Sequence, residues 1–137
     1  MIEAPLLDTH VWIWWVTDHG RLDVRTRARL DALPADARPY LSDISLWEVA
    51  LLVDRKRVGF DLPLGQWLEE ASRPRIVRMV SITPPIAAET AALPESFRRD
   101  PADRIIVATS RILEVPLLTH DRAILESRLA RQWHPSS

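Results

Sequence analysis

The chain contains no cysteine, so neither a disulfide framework nor a thiolate zinc site can organise it. Only three of its 137 residues are glycine. A P-loop, a G-x-G-x-x-G dinucleotide fingerprint and the G-x-S-x-G elbow of a serine hydrolase are all missing. No apolar run approaches the roughly 20 residues of a membrane span. The N-terminal segment, acidic at Glu3, lacks the pattern of a signal peptide. Lysine is almost absent: Lys56 stands alone among 18 basic residues, and the rest are arginine. The formal net charge is −1, so the chain as a whole is no polycation. Together these absences predict a soluble cytoplasmic protein with no membrane contact. Its length suits one domain, residues 1–137, that needs no covalent staple.

What is present alternates between short apolar strands and helices. Strands are predicted at Glu3 to Asp8, Tyr40 to Asp43, Ile76 to Ile82 and Val115 to Thr119. Helices are predicted at Thr9 to Val16, Leu22 to Leu33, Ile44 to Arg57, Pro63 to Ser72, Ile86 to Leu93, Asp100 to Leu113 and Asp121 to Leu129. Gly59 reads as the cap of the helix that ends in Arg55, Lys56 and Arg57. Arg131 to Pro135 supports only the stub of a last strand. This alternation, with few hairpin signals, predicts an α/β domain with a parallel sheet. The chain has six tryptophans, three of them at Trp12, Trp14 and Trp15. With the nearly all-apolar helix from Ile44 to Val53, they exceed what one side of a sheet needs and point to an apolar groove or dimer face.

Four acids fall where strands pass into helices. Asp8 ends the first strand, and Glu48 lies early in the helix after the second. Asp103 is in the first turn of the helix behind Asp100-Pro101. Asp121 follows the Leu117 to Thr119 strand. Each has a plain structural role available. Asp8, Asp100 and Asp121 are good helix caps, Ser45-x-x-Glu48 reads as a capping box, and Asp103 suits the positive end of a helix dipole. Yet all strand-to-helix junctions of a parallel sheet lie on one edge, where such folds bind ligands. Carboxylates crowded there repel one another. A hard divalent cation relieves that, and oxygen-only ligands favour Mg²⁺ or Mn²⁺.

Leu6-Leu7-Asp8-Thr9-His10, Ser42 to Ala50, Asp100 to Thr109 and Leu117 to Ile124 resemble the four acidic motifs of PIN-domain ribonucleases. They look most like the VapC toxins of bacterial VapBC toxin–antitoxin modules. The resemblance implies a three-layer α/β/α domain around a central parallel sheet of four to five strands, the last near residues 130–134. It implies a Mg²⁺- or Mn²⁺-dependent endoribonuclease. Asp8, Glu48, Asp103 and Asp121 would form its site, Asp8 and Asp103 as direct metal ligands and the other two directly or through water. It also implies a VapB-like antitoxin, whose helix would lie in the apolar groove, and a homodimer is expected.

Around this set, Thr9, Ser45 and Thr119 are candidates to hydrogen-bond the carboxylates. Asp100 is assigned to capping. Arg98, Arg99, Arg104 and Arg122 are candidate RNA contacts. His10 and His120 flank two of the acids without a zinc-ligand spacing. Two other readings remain open: a PIN-like binding module without catalysis, and another Mg²⁺-dependent phosphohydrolase.

Overall fold

The computed structural model describes residues 3–97 and 100–134. Four short strands form its sheet: β1 (Leu6–Leu7), β2 (Tyr40–Ser42), β3 (Arg78–Val80) and β4 (Leu117–Leu118). All pair in parallel, in the order β3-β2-β1-β4. Beyond β4, Gln132 makes an isolated parallel bridge to Leu117. Leu117 N donates to Arg131 O at 2.7 Å, and Trp133 N to Leu117 O at 3.0 Å. The expected stub of a fifth strand is therefore this one bridge.

Strand side chains alternate between faces, and two residues are enough to separate the layers here. Leu7, Leu41 and Leu118 enter one core with Val11, Trp12, Trp15, Val49 and Trp67. Leu6 and Leu117 enter the other with Phe97, Ile106, Val107 and Ile124. The helices behind these residues are α1 (Thr9–Val16), α2 (Val24–Asp31), α3 (Asp43–Asp54), α4 (Leu64–Ala71), α5 (Pro84–Ala92), α6 (Pro101–Leu113) and α7 (Arg122–Ser127). This is the three-layer α/β/α arrangement expected from the sequence.

Four of the six tryptophans are core residues: Trp12, Trp15, Trp67 and Trp133. Trp12 is fully buried, and its Nε1 donates to Ala71 O at 3.0 Å. Trp14 is half-buried. Trp47, on the apolar helix α3, is 52% exposed.

Two local expectations are corrected. The α3 cap is Ser42, whose side chain accepts from Ile44 N, so Ser45 is no part of a capping box. Strand β2 runs straight into α3, which moves the cap three residues earlier, from Ser45 to Ser42, and leaves Ser45 and Glu48 inside the helix. Nor does Gly59 end that helix. Lys56 takes the left-handed conformation at φ 56°, and no glycine has positive φ. Arg57 N then reaches Leu52 O at 2.8 Å and Lys56 N reaches Val53 O at 3.0 Å, a Schellman closure.

A non-glycine residue in that conformation costs about 1–2 kcal/mol. Lys56→Gly should therefore raise the urea midpoint, by an amount equivalent to about 1 kcal/mol. An unchanged or lower midpoint would contradict the assigned cap.

Candidate metal and active site

The site is built at the carboxyl ends of the strands, by residues whose places follow from how each strand meets its helix. Asp8 closes β1 and caps α1; its Oδ1 accepts from Thr9 N at 2.8 Å. Its Oδ2 accepts from Thr119 Oγ1 at 2.6 Å, just past β4. Thr119 Oγ1 in turn accepts from Asp121 N at 3.0 Å. Asp121 caps α7 by accepting from Ile124 N at 3.1 Å.

From the other side, Thr9 Oγ1 donates to Glu48 Oε1 at 2.5 Å. It also lies 2.8 Å from Ser45 Oγ. A hydroxyl has one proton; Thr9 gives its own to Glu48, so Ser45 is the donor to Thr9. The three hydroxyl residues proposed from sequence thus all hold site carboxylates, directly or through one another. Ser45 and Thr9 are fully buried.

Asp100 caps α6 by accepting from Asp103 N at 3.0 Å, as expected. Its carboxylate also joins an acidic cluster. One carboxylate oxygen from each of Glu48, Asp100 and Asp103 lie within 4.8 Å of one another, a group that could hold a metal ion. Asp8 and Asp121 stand outside that group but line the same cavity, which measures about 400 Å³. Asp8 and Asp103 are only 7% and 8% exposed. The signal for Asp100 was available in the sequence: an N-cap at the carboxyl edge of the sheet points its carboxylate where the other acids converge. Reading it as a cap alone missed that.

Among the arginines, Arg104 turns toward α5, where its guanidinium donates to Thr90 O at 2.8 Å. This is a helix–helix contact rather than a position in the cavity. Arg122 is exposed at the start of α7 and does not line the cavity. Arg98 and Arg99 lie outside the described residues. The sequence reading overlooked Arg21, which does line the cavity, together with His10, His120 and Trp14.

Burial pushes the Asp8 carboxyl up from its ordinary 3.8; the bonds from Thr119 and Thr9 pull it partly back. Burial likewise raises Glu48 from 4.5, opposed by the Thr9 bond and reinforced by the charges of Asp8 and Asp100. The arrangement concentrates negative charge in a place that resists it, which suits a site for a cation.

A family model described as PIN domain matches residues 6–128, and the chain belongs to the PIN-domain family. Over 134 residues it is 37% identical to Ribonuclease VapC22 of Mycobacterium tuberculosis (strain ATCC 25618 / H37Rv), covering 98% of this chain and 95% of the relative. Solved structures share the fold at lower identity. A toxin–antitoxin complex from Klebsiella pneumoniae superposes with TM-score 0.66 at 20% identity, over 96% of this chain and 98% of that one. FitAB bound to an IR36 DNA fragment gives 0.66 at 22%, over 95% and 94%. FitAcB from Neisseria gonorrhoeae gives 0.64 at 24%, over 96% and 97%.

The raised carboxyls have a stability consequence in the absence of divalent ions. Between the ordinary values and the raised folded ones, the native chain binds more protons than the unfolded chain. This part of the stability is therefore present at low pH and lost as pH rises through that window. Glu3 and Asp23 are held down by hydrogen bonds from Arg131 and Thr26. Their contribution is lost only on further acidification, so it does not mask the effect. In EDTA, Asp8→Asn should have a higher Tm than the wild type near neutral pH, with the gap narrowing toward about pH 4. A Tm at neutral pH equal to or below that of the wild type would count against a strained Asp8.

Proposed function

We propose that the protein is a divalent-metal-dependent endoribonuclease that hydrolyses RNA phosphodiesters as the toxin of a VapBC-type pair. The observation that carries the reading is the convergence of Glu48, Asp100 and Asp103 in the cavity shared with Asp8 and Asp121. Membership of the PIN family and the likeness to a VapC ribonuclease support it.

The donor set fits a hard cation, because every candidate ligand atom is a carboxylate oxygen and Mg²⁺ and Mn²⁺ prefer oxygen. Asp103 would hold the ion with Glu48 and Asp100, whose oxygens converge with its own, and Asp8 and Asp121, which line the same cavity, would reach it directly or through water. Such an ion, when bound, polarises a phosphoryl oxygen and lowers the pKa of an attacking water. The protein's own groups do the rest. Thr119 and Thr9 N fix both oxygens of Asp8, and Thr9, itself held by Ser45, fixes Glu48. Glu48 is the group suited to receive the proton of the attacking water, since burial raises its proton affinity.

The partner would be a VapB-like antitoxin whose helix covers apolar surface; a fold neighbour that is a toxin–antitoxin complex supports this. Trp47, exposed on α3, suits an interface, with a second copy of the chain or with the antitoxin. Among the described residues no helix is long and apolar enough to cross a membrane.

Purified protein should cleave RNA with Mg²⁺ or Mn²⁺ and lose that activity in EDTA. Asp8→Asn and Asp103→Asn should fall to background; equal cleavage by wild type and both variants would sink the assignment. Release of phosphate from small monoesters with RNA left intact would favour a phosphohydrolase instead. Thr119→Val should cost about 10–100-fold in activity or metal affinity. Asp100→Asn separates two roles, because asparagine caps a helix as well as aspartate does. It should leave Tm nearly unchanged while weakening Mn²⁺ binding; a Tm loss with unchanged Mn²⁺ affinity would return Asp100 to capping alone.

A further inference from the structure

Five carboxylates line the acidic cavity, and a phosphodiester chain entering it meets like charge. At its mouth stands a cluster that the hydrolytic roles above do not use. Trp14 is at its centre. Around the indole lie His10 with ring centroids 6.0 Å apart, His19 stacked at 6.2 Å and 29°, and His120 edge-on at 5.5 Å. The Arg21 guanidinium carbon is 5.1 Å from the Trp14 ring centroid. These residues come from α1, the α1–α2 turn and the β4–α7 junction, and all but Trp14 are exposed. Apolar packing does not account for three imidazoles and a guanidinium gathered around one half-buried indole.

The turn that carries His19 and Arg21 is held from several sides. Asp18 takes φ 56°, and His19 N reaches Trp14 O at 2.8 Å. Arg27 donates to Trp15 O at 3.0 Å, Trp14 O at 3.2 Å and His19 O at 2.9 Å. It also pairs with Asp18 at 3.2 Å. Arg21 N donates to His19 Nδ1 at 3.0 Å, and Leu22 beyond it is buried. A second cavity of about 640 Å³ shares His10, Trp14 and Arg21 with the acidic one and continues to Arg57 and Phe60. The cluster therefore sits where a strand leaving the acidic cavity would pass.

We infer that this cluster is a nucleotide subsite for an RNA unit next to the cleaved phosphate, an inference that rests on the ribonuclease reading. The base stacks among Trp14 and the imidazoles, and Arg21 meets a neighbouring phosphate. Aromatic stacking accepts any base, and arginine both stacks and pairs with phosphate oxygens. Such a unit must be unstacked from its neighbours, so the subsite takes single-stranded RNA.

The test is steady-state cleavage of a single-stranded RNA oligonucleotide in Mn²⁺. Trp14→Leu should raise KM about tenfold with kcat little changed, and Trp14→Phe should stay near wild type. Arg21→Ala should raise KM and lower the salt slope of binding by about one. An abasic unit is then scanned through the positions on either side of the cleaved bond. At one of them it should raise KM for wild type and add nothing in Trp14→Leu. Should Trp14→Leu fail to fold, His120→Ala and Arg21→Ala, at exposed positions, carry the same comparison. An unchanged KM, or equal abasic penalties in wild type and variant, overturns the subsite alone. Absence of cleavage by wild type overturns the ribonuclease reading and the subsite with it.

Discussion

The structure depends on the parallel pairing of β1 with β4, two strands more than a hundred residues apart in the chain. Their register sets Leu6 beside Leu117 and Leu7 beside Leu118. The Leu6–Leu117 pair then faces one core and the Leu7–Leu118 pair the other. A slip of one residue would exchange the two faces. It would also part Thr119 from Asp8, whose buried 2.6 Å bond lies just beyond the paired residues. β1 has β2 on its other side, so the chain reverses its direction of travel across the sheet at β1 and β4. That is the crevice where open parallel sheets bind ligands. Sheet formation and assembly of the acidic cavity are therefore one event.

Much of this was legible from the sequence because each junction announces itself locally. Thr9–Val16 has the predicted bounds, and Asp8, Asp100 and Asp121 are caps as read. Helix ends were harder. A search for glycine misplaced the end of α3, since this chain, with three glycines, puts Asp18, Lys56, Glu114 and Arg128 in the left-handed conformation instead. Ser45 and Glu48 match a capping box by spacing, but spacing cannot show that the strand runs directly into the helix at Ser42. At the cavity, residue type and position picked out four of the five acids that line it and the three hydroxyl residues bonded to Asp8, Glu48 or each other. What they could not supply was direction. Arg104 follows a site acid in sequence, yet a helix carries consecutive side chains about 100° apart, so it faces α5. Arg21, far from every acidic motif, reaches the cavity because the α1–α2 turn folds back over Trp14.

Crowding acids in a buried place costs stability, and the hydroxyl network is what limits the cost. Thr9 bonds Glu48 through its hydroxyl and Asp8 through its amide. Thr119 bonds Asp8. Each bond to a carboxylate favours the charged form and opposes the rise caused by burial. The opposition is incomplete, since both carboxyls stay raised. A site whose charges were fully satisfied by protein donors would have little left to offer a cation. One left partly unsatisfied binds it more strongly, at the expense of the metal-free fold. The large, fully buried side chains of Trp12, Leu6, Leu7, Leu30, Leu41, Ile106 and Leu117 belong to the two cores that tolerate this expense.

Charge also has to be reconciled over the whole surface. A chain of net charge −1 gives a polyanion no general attraction, so binding must rest on local placement. The helix contacts of Arg104, the carbonyl bonds of Arg27 and the Arg131–Glu3 pair consume several arginines in structure. Arg21 differs because its guanidinium lies over an indole at the cavity mouth. There an arginine can meet a phosphate without neutralising the carboxylates that a cation needs. On the proposed reading, separating the two functions by one aromatic ring would keep the acidic cavity acidic and still give a negatively charged strand a way in.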